Sequence, residues 1–258
     1  MILQYKNIPI YYNDDGEGKA VVLLHGFMET SAMWKDLVAV IKTGHRVITI
    51  DLLGHGRSGC LGYIHTMEMM ADAVVFVLNH LKIEKSFFIG HSMGGYVTLA
   101  LAETFPERFY ALCLMNSTPF ADSLDRQINR DRAIKVVKQN HRNFIRMSIS
   151  NLFNPDHREK FHKEIETIVL NAMEMPVQGI VAALEGMKIR KDRRNVLKQL
   201  AVYKMAILGQ KDPVIEFDNL STQLTELEVE IIEFPDGHMS HIENKYEFTD
   251  IIKHFIEN

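Results

Sequence analysis

A serine near the middle of the chain lies in a pattern that suits a nucleophile. Ser92 stands between Gly90 and Gly94 in the pattern Gly-x-Ser-x-Gly, with a short apolar run before it and a helical pattern after it. A nucleophilic serine on a sharp strand-to-helix turn requires this context. Glycines suit positions 90 and 94 because larger side chains there would collide with neighbouring backbone in so tight a turn. We therefore predict that Ser92 attacks the substrate.

A serine hydroxyl needs a base to take its proton and a carboxylate to orient that base. Twelve histidines are available, but only His238 follows a late strand-like run in a turn-rich segment, and we predict it as the base. His241 is the competitor, which we expect to support the start of the last helix instead. Because a working base must be neutral, we expect hydrolysis to increase with pH where imidazole titrates, at about 6 to 7.

Asp212 is the predicted orienting carboxylate. It follows a strand-like run in the segment Gly209-Gln210-Lys211-Asp212-Pro213. An aspartate beside a proline commonly caps local backbone N–H groups, but the chain order serine, aspartate, histidine favours the catalytic interpretation. Asp122 is the alternative acid, and it lies too far beyond the preceding strand.

Two backbone N–H groups are expected to stabilise the oxygen that becomes negative during acyl transfer. Met93 directly follows the nucleophile and supplies the first. Phe27 supplies the second, because the tripeptide His25-Gly26-Phe27 lets the chain turn sharply after a strand. The alternative is that this tripeptide is an ordinary strand-to-helix turn.

Strand-like and helix-like segments alternate along most of the chain, which predicts a parallel sheet with helices on both faces. Strand patterns occupy residues 20–24, 46–50, 86–89, 110–115, 202–208 and 229–234, and helical patterns occupy residues 30–41, 67–81, 96–105 and 246–256. Residues 4–12 contain two short strand-like pieces around Pro9, followed by turn formers at residues 13–18, and these predict an opening hairpin.

The alternation stops at residues 123–187, where the periodicity is helical throughout. We predict a core formed by residues 1–118 and 200–258, interrupted by a helical insertion at residues 119–199. Its natural place is above the carboxyl ends of the strands.

Composition narrows the class of protein. The chain has 258 residues, 47% of them apolar, and a formal charge of -4, which fits one globular domain and offers no field to attract nucleic acid. No apolar run reaches the roughly 18 residues of a membrane span, and no signal-peptide pattern begins the sequence, so we expect a cytoplasmic protein. Cys60 and Cys113 show no metal-ligand spacing and are expected to be idle thiols.

The motifs together resemble the α/β-hydrolase superfamily, in particular its capped carboxylesterase, cofactor-free haloperoxidase and enol-lactonase group. They are His25-Gly26-Phe27, residues 51–58, Gly90-His91-Ser92-Met93-Gly94-Gly95, Gly209-Gln210-Lys211-Asp212 and Gly237-His238. The resemblance implies the α/β-hydrolase fold: a mostly parallel eight-stranded sheet with helices on both faces and a helical cap. It also implies that no cofactor or metal is required. Ser92 stands where epoxide hydrolases and haloalkane dehalogenases have an aspartate, which argues against both.

The expected reaction is hydrolysis of a small carboxylic ester through an acyl-enzyme, with a small acyl compound and water as the partners. Three alternatives stay open: a carbon–carbon bond hydrolase, a thioesterase or acyltransferase, and a small-molecule receptor that retains the triad. Whether the protein forms a homodimer also stays open.

Two features of the insertion bear on specificity. An acyl pocket or plain core packing would each account for Met147, Phe153, Met173, Met175 and Met187. A solvated face or recognition of an anionic substrate would each account for the basic helix that carries Arg126, Arg130, Arg132, Lys135, Lys138, Arg142 and Arg146.

Overall fold

An eight-stranded sheet forms the centre of the protein. The structure, a computed structural model, describes residues 1–257. The strands are β1 (Ile2–Tyr5), β2 (Ile8–Asp15), β3 (Lys19–Leu24), β4 (His45–Ile50), β5 (Ser86–His91), β6 (Phe109–Met115), β7 (Tyr203–Gly209) and β8 (Glu230–Phe234). Their order is β1-β2-β4-β3-β5-β6-β7-β8. Strand β2 is antiparallel to β1 and β4, and the other neighbours pair in parallel.

Helices cover both faces of this sheet. The α-helices outside the predicted insertion are α1 (Lys35–Ile41), α2 (Met67–His80), α3 (Met93–Thr104), α8 (Phe217–Glu226), α9 (Ser240–Glu243) and α10 (Lys245–Glu257). Helices α1 and α10 pack with Val21 and Leu23 of β3 on one face, whereas α2 and α3 pack with Val22 and Leu24 on the other. Apolar residues therefore occur at consecutive positions of β3, as a strand buried on both faces requires.

Four helices lie between β6 and β7, where the sequence predicts an insertion. They are α4 (Leu124–Ser150), α5 (His162–Met173), α6 (Val177–Lys188) and α7 (Arg194–Gln199), and we call them the inserted helices. Helix α4 is kinked at Asn140 (φ −153°, ψ 76°), whose Oδ1 accepts a hydrogen bond from the Asn143 N–H (3.2 Å) and so caps the second half. Ile134, Ile145 and Ile149 of α4 join the core on the α2–α3 face.

Within residues 1–257, no individual helix has both the length and the apolar character of a membrane span. Helices α5 and α6 have the length and apolar character of a span only when they are counted together, and they are bent by 101° relative to each other.

Three predicted boundaries were wrong. Residues 13–15 belong to β2, so the opening hairpin turns at Lys6 and Asn7, which have positive φ. A 3-10 turn at Ser31–Trp34 precedes α1, and α3 begins at Met93 instead of residue 96. The glycines at 94 and 95 have a low helix propensity, which favours a later start of the helix in the sequence. In the structure they belong to α3, where they pack closely against neighbouring segments.

Candidate active site

Ser92 occupies the tight turn between β5 and α3. Its backbone has φ 48° and ψ −112°, a left-handed conformation that is costly for a residue with a side chain. Two backbone contacts hold it: the Ser92 N–H donates to the Met115 carbonyl (2.9 Å), and the Ser117 hydroxyl donates to the Ser92 carbonyl (2.7 Å). Neighbouring strands therefore stabilise the strained conformation.

The two glycines around Ser92 are required by close packing. A Cβ at Gly90 would lie 2.5 Å from the Gly94 carbonyl oxygen, and a Cβ at Gly94 would overlap the Leu24 carbonyl at the end of β3. Backbone cannot yield at such distances without a shift of the whole turn. The structure thus agrees with the steric reason for which the sequence predicted these glycines.

Asp212 and His238 form a buried pair after β7 and β8. The Nδ1 of His238 donates to Oδ2 of Asp212 (2.7 Å), and each side chain is only 2% exposed. The other oxygen, Oδ1, accepts the N–H groups of Val214 (2.8 Å) and Ile215 (3.1 Å). Burial opposes ionisation of Asp212, but the His238 imidazole and these two donors outweigh it and lower the pKa of the carboxyl.

His238 faces the same cavity as Ser92. This cavity has a volume of about 670 Å³, and both residues line it. Within residues 1–257, no hydrogen bond joins the Ser92 hydroxyl to the His238 ring. The Nδ1 contact with Asp212 leaves Nε2 as the ring nitrogen that is free to serve as a base.

One of the two predicted oxyanion donors belongs to a residue that lines this cavity, and the other belongs to the residue that follows Ser92. Phe27 lines the cavity, and Met93 is the first residue of α3, where backbone N–H groups have no partner within the helix. Within the described residues, neither N–H donates a hydrogen bond to the protein. Both donors are thus available for a ligand.

A buried ion pair, which the sequence analysis missed, connects the Phe27 loop to the His238 loop. Glu29 Oε2 accepts hydrogen bonds from the Gly26 N–H (2.9 Å) and from His91 Nδ1 (2.7 Å). The other ring nitrogen, His91 Nε2, donates to the His238 carbonyl (3.0 Å). Both ring nitrogens of His91 therefore face acceptors, as an imidazolium requires.

The charges of this pair agree with its geometry. Burial opposes the carboxylate form of Glu29 and the imidazolium form of His91. The attraction between the two side chains outweighs this effect of burial on both pKa values. The His91 imidazole lowers the pKa of Glu29 to about 2, and the Glu29 carboxylate raises the pKa of His91. The signal in the sequence was a carboxylate two residues after Phe27, together with a histidine inside the serine motif.

Asn116 is a second residue that sequence reasoning missed. Its Nδ2 donates to Asp212 Oδ2 (3.2 Å) and to the Gly237 carbonyl (3.3 Å), and its Oδ1 accepts the Ser240 hydroxyl (2.7 Å). Asn116 thus ties the Asp212 loop to the His238 loop. Its position at the end of β6 was the only available signal.

His241, the alternative base, and Asp122, the alternative acid, have other partners. The ring of His241 packs near Trp34 (6.2 Å between centroids) and His91 (5.7 Å), and burial lowers its pKa to about 4. It does not line the Ser92 cavity, and its support of the last helix stays a prediction. Asp122 forms ion pairs with Arg130 and Arg190, and within residues 1–257 the carboxylate bonded to His238 is that of Asp212.

Of the five apolar residues for which the sequence leaves an acyl pocket and core packing open, one lines the cavity. Met187 lines the cavity, together with Tyr96, Phe144 and Leu184. Met147 is 67% exposed, because it lies on the outer face of α4. The other three do not line the cavity: Phe153 and Met175 are buried, and Met173 is partly buried against the core.

The basic residues of α4 divide into two sets. Arg126 and Arg130 are partly buried and line the cavity. The remaining five are exposed, namely Arg132, Lys135, Lys138, Arg142 and Arg146. A solvated face therefore accounts for these five and does not account for Arg126 and Arg130.

Metal ligands and reactive thiols are not evident in residues 1–257. No group of three or more histidine, cysteine, aspartate or glutamate side chains there could hold a metal ion. Cys60 and Cys113 are free, and burial raises the pKa of both thiols, which disfavours the nucleophilic thiolate.

The chain belongs to the α/β hydrolase fold family. The family model with that description matches residues 19–245, which include every residue of the candidate site. This match confirms the resemblance found in the sequence, and the eight-stranded, mostly parallel sheet is the fold that the resemblance implied.

Individual proteins of this family are similar over nearly the whole chain. The enzyme named 3-oxoadipate enol-lactonase 1 of Acinetobacter baylyi is 27% identical over 266 residues, which cover 99% of this chain and 95% of the relative. A thermophilic esterase from Thermogutta terrifontis, solved with malate bound, has a TM-score of 0.91 and 29% identity, covering 97% of this chain and 93% of that one.

A third similar protein supports the fold alone. The enol-lactonase from Burkholderia xenovorans has a TM-score of 0.91 at 22% identity, with 100% of both chains covered.

Proposed function

We propose that this protein is a serine hydrolase that cleaves a small carboxylic ester through Ser92, His238 and Asp212. One observation carries the proposal: His238, which is hydrogen-bonded to the buried Asp212 (2.7 Å), lines the same cavity as Ser92. Ser92 itself lies in a strained turn. The names of similar proteins, an esterase and an enol-lactonase, agree with an ester-type substrate.

In the first half reaction, the Ser92 oxygen attacks the acyl carbonyl carbon and His238 Nε2 takes the hydroxyl proton. The carbon–oxygen bond to the leaving group then breaks, and His238 returns the proton to the departing alcohol. Asp212 stabilises the imidazolium that exists between these steps. Hydrogen bonds to the reacting groups are often longer in the absence of substrate, which accounts for the missing Ser92–His238 contact.

The Phe27 and Met93 N–H groups are the proposed donors to the oxygen of the tetrahedral intermediate. Such donors are most effective when they are fixed in advance and aimed at the developing charge. The Glu29 carboxylate fixes Gly26, the residue before Phe27, and the start of α3 fixes Met93.

In the second half reaction, water attacks the acyl group on Ser92. His238 takes a proton from the water, the bond to the Ser92 oxygen breaks, and the proton passes to Ser92. The products are the carboxylic acid and the free enzyme.

The inserted helices are proposed to act as a cap, with residues 1–118 and 200–258 as the catalytic core and residues 119–199 as the cap. Arg126, Phe144, Leu184 and Met187 of this segment line the cavity together with Ser92 of the core. Substrate selection therefore belongs to the inserted helices, and bond cleavage belongs to the core.

The substitution Ser92→Ala tests the proposal. We expect the turnover of para-nitrophenyl acetate to fall by roughly 10⁴-fold or more, because the nucleophile is lost. Ser221→Ala on α8, outside the cavity, is the matched control and should retain full activity. Circular dichroism should show the same fold for both variants. Undiminished hydrolysis by a folded Ser92→Ala variant would overturn the proposal.

A further inference from the structure

The cavity that holds Ser92 is lined by more positive than negative side chains. Arg126, Arg130 and Arg158 line it, and Glu29 is the one carboxylate among its lining residues. Glu29 is already paired with His91 inside the same wall. The three guanidinium groups therefore have no carboxylate of the cavity lining to neutralise them.

Two of these arginines have no acidic partner within residues 1–257. The Nη2 of Arg126 donates to the Val214 carbonyl (2.6 Å), an acceptor that carries no net charge. Arg158 forms no ion pair with the described acidic residues, and its Nε is buried without a hydrogen-bond partner. Both positive charges are thus uncompensated.

The third arginine shares its partner. Arg130 Nε donates to Asp122 Oδ2 (2.8 Å), while Arg190 pairs with the other oxygen of the same carboxylate. The Asp122 side chain is fully buried; burial opposes its ionisation, but the two arginines outweigh that effect and lower the pKa of the carboxyl. One negative charge therefore serves two guanidinium groups, which leaves a net positive charge beside the cavity.

Partial burial makes this excess charge unusual. The exposed arginines and lysines of α4 are solvated and screened by salt, whereas the Arg130 side chain is only 19% exposed. Charged groups withdrawn from water need a partner of opposite sign. A planar guanidinium group matches a carboxylate in shape, because it can donate two parallel hydrogen bonds to the two oxygens.

We infer that the substrate carries a free carboxylate at the end remote from the scissile acyl group, and that Arg126, Arg130 and Arg158 bind it. The inference rests on the proposed function for the reacting end. Apolar side chains of Phe144, Leu184 and Met187 line the same cavity, so the preferred compounds combine a short apolar chain with a terminal carboxylate. Monoesters and lactones of dicarboxylic acids have this chemistry.

Matched pairs of esters test the inference. Para-nitrophenyl monoesters of succinate, glutarate and adipate are compared with para-nitrophenyl esters of butyrate, valerate and caproate, which lack the carboxylate. We expect the wild type to favour the charged member of at least one pair by about tenfold or more in kcat/KM, the size of one charge-assisted hydrogen bond. The three chain lengths measure which spacing between acyl group and carboxylate the cavity prefers.

Arg126→Met is the main variant, because the described partner of its guanidinium is a single backbone carbonyl. We expect the preference for the charged ester to fall by about tenfold or more, and Arg158→Met to act in the same direction. Arg132→Met is the matched control: Arg132 lies on the same helix but is exposed, so the preference should stay at the wild-type value.

A binding measurement separates this inference from the proposed function. Glutarate is titrated calorimetrically into Ser92→Ala protein, with and without the additional Arg126→Met or Arg132→Met change. Binding that is lost with Arg126→Met and kept with Arg132→Met supports the carboxylate site, even if no ester is cleaved.

The opposing outcomes are equally distinct. A wild type that cleaves esters through Ser92 but favours the neutral member of every pair overturns the inference and leaves the proposed function intact. If no ester is cleaved, the proposed function fails, and undetectable glutarate binding then overturns the carboxylate site as well.

Discussion

Asp212 holds the ring of the proposed base through a direct hydrogen bond. Its Oδ2 accepts both His238 Nδ1 and Asn116 Nδ2, and its Oδ1 accepts two backbone N–H groups. An Asp212→Asn amide would therefore direct its N–H₂ group at one of these two sets of donors in either orientation. We expect the His238 ring to lose its fixed tautomer and kcat to fall by roughly 10³- to 10⁴-fold, with little change in KM. Steady-state kinetics on a para-nitrophenyl ester measure the loss.

The control for this prediction is Asp156→Asn. Asp156 pairs with Lys211 on the surface, where its side chain is 70% exposed, so its removal should leave kcat unchanged. A folded Asp212→Asn protein with wild-type kcat would mean that Asp212 is only a turn carboxylate.

Site residues that lie in a recognisable sequence motif could be predicted, whereas residues whose role depends on a contact with a distant part of the chain could not. Ser92, Asp212 and His238 each follow a strand in a recognisable turn. Glu29 and His91 meet across 62 positions of sequence, and the sequence could not pair them. The separation of Arg126 from the exposed Arg132 likewise depends on which side of α4 faces the cavity.

Close contact between β3 and α3 fixes the element that carries Ser92. Gly94 packs against the Leu24 and His25 carbonyls, where a Cβ would overlap backbone. We expect Gly94→Ala to lower the free energy of unfolding by about 1–3 kcal/mol, through overpacking, and to reduce activity by displacing Ser92. Urea denaturation with an ester assay measures both effects.

Gly44→Ala is the matched glycine control for that prediction. A Cβ at Gly44 would meet nothing within 4 Å, and its φ is not positive, so we expect a change within about 0.5 kcal/mol. Equal stability of the two variants would contradict the proposed role of the β3–α3 contact.

The predicted end of the second strand was wrong because the last residues of β2 are polar. Buried strands such as β3 and β5 were predictable because their residues are apolar at nearly every position. Strand β2 continues through polar residues because cross-strand contacts support it: Asp14 pairs with Arg46 (2.7 Å), and Asn13 donates to Thr49 (2.9 Å). Such cross-strand pairs stabilise a sheet. A prediction based on apolar residues cannot detect them, and it therefore assigns residues 13–15 to a turn.

For the whole molecule, several buried histidines make stability dependent on pH. Burial lowers the pKa of His55 to about 3 and of His65 to about 4, and it also lowers that of His25. Geometry requires neutral rings at two of them, because Nε2 of His25 accepts the Leu52 N–H (2.9 Å) and Nε2 of His65 accepts the Leu61 N–H (3.0 Å). A proton on either nitrogen would remove that acceptor.

The direction of the effect follows from proton binding in the two states. The unfolded chain binds protons at these histidines below about pH 6.5, whereas the folded chain binds them at His55 and His65 only near pH 3 to 4. Unfolding therefore takes up protons in this interval. Each proton taken up lowers the free energy of unfolding by about 1.4 kcal/mol for every unit by which the pH falls. His91 has the opposite sign, since its raised pKa gives stability that is present below about pH 6.5 and lost at higher pH.

We expect the free energy of unfolding to decrease as the pH is lowered from about 6.5 to 4, because the histidines with lowered pKa outnumber His91. Urea titrations at pH 7 and pH 5 measure this change. His65→Gln, which offers an oxygen to the Leu61 N–H but does not titrate, should make the dependence shallower. His162→Gln, at an exposed position of α5, should leave it unaltered. Greater stability at pH 5 than at pH 7 would show that the Glu29–His91 pair outweighs the neutral histidines.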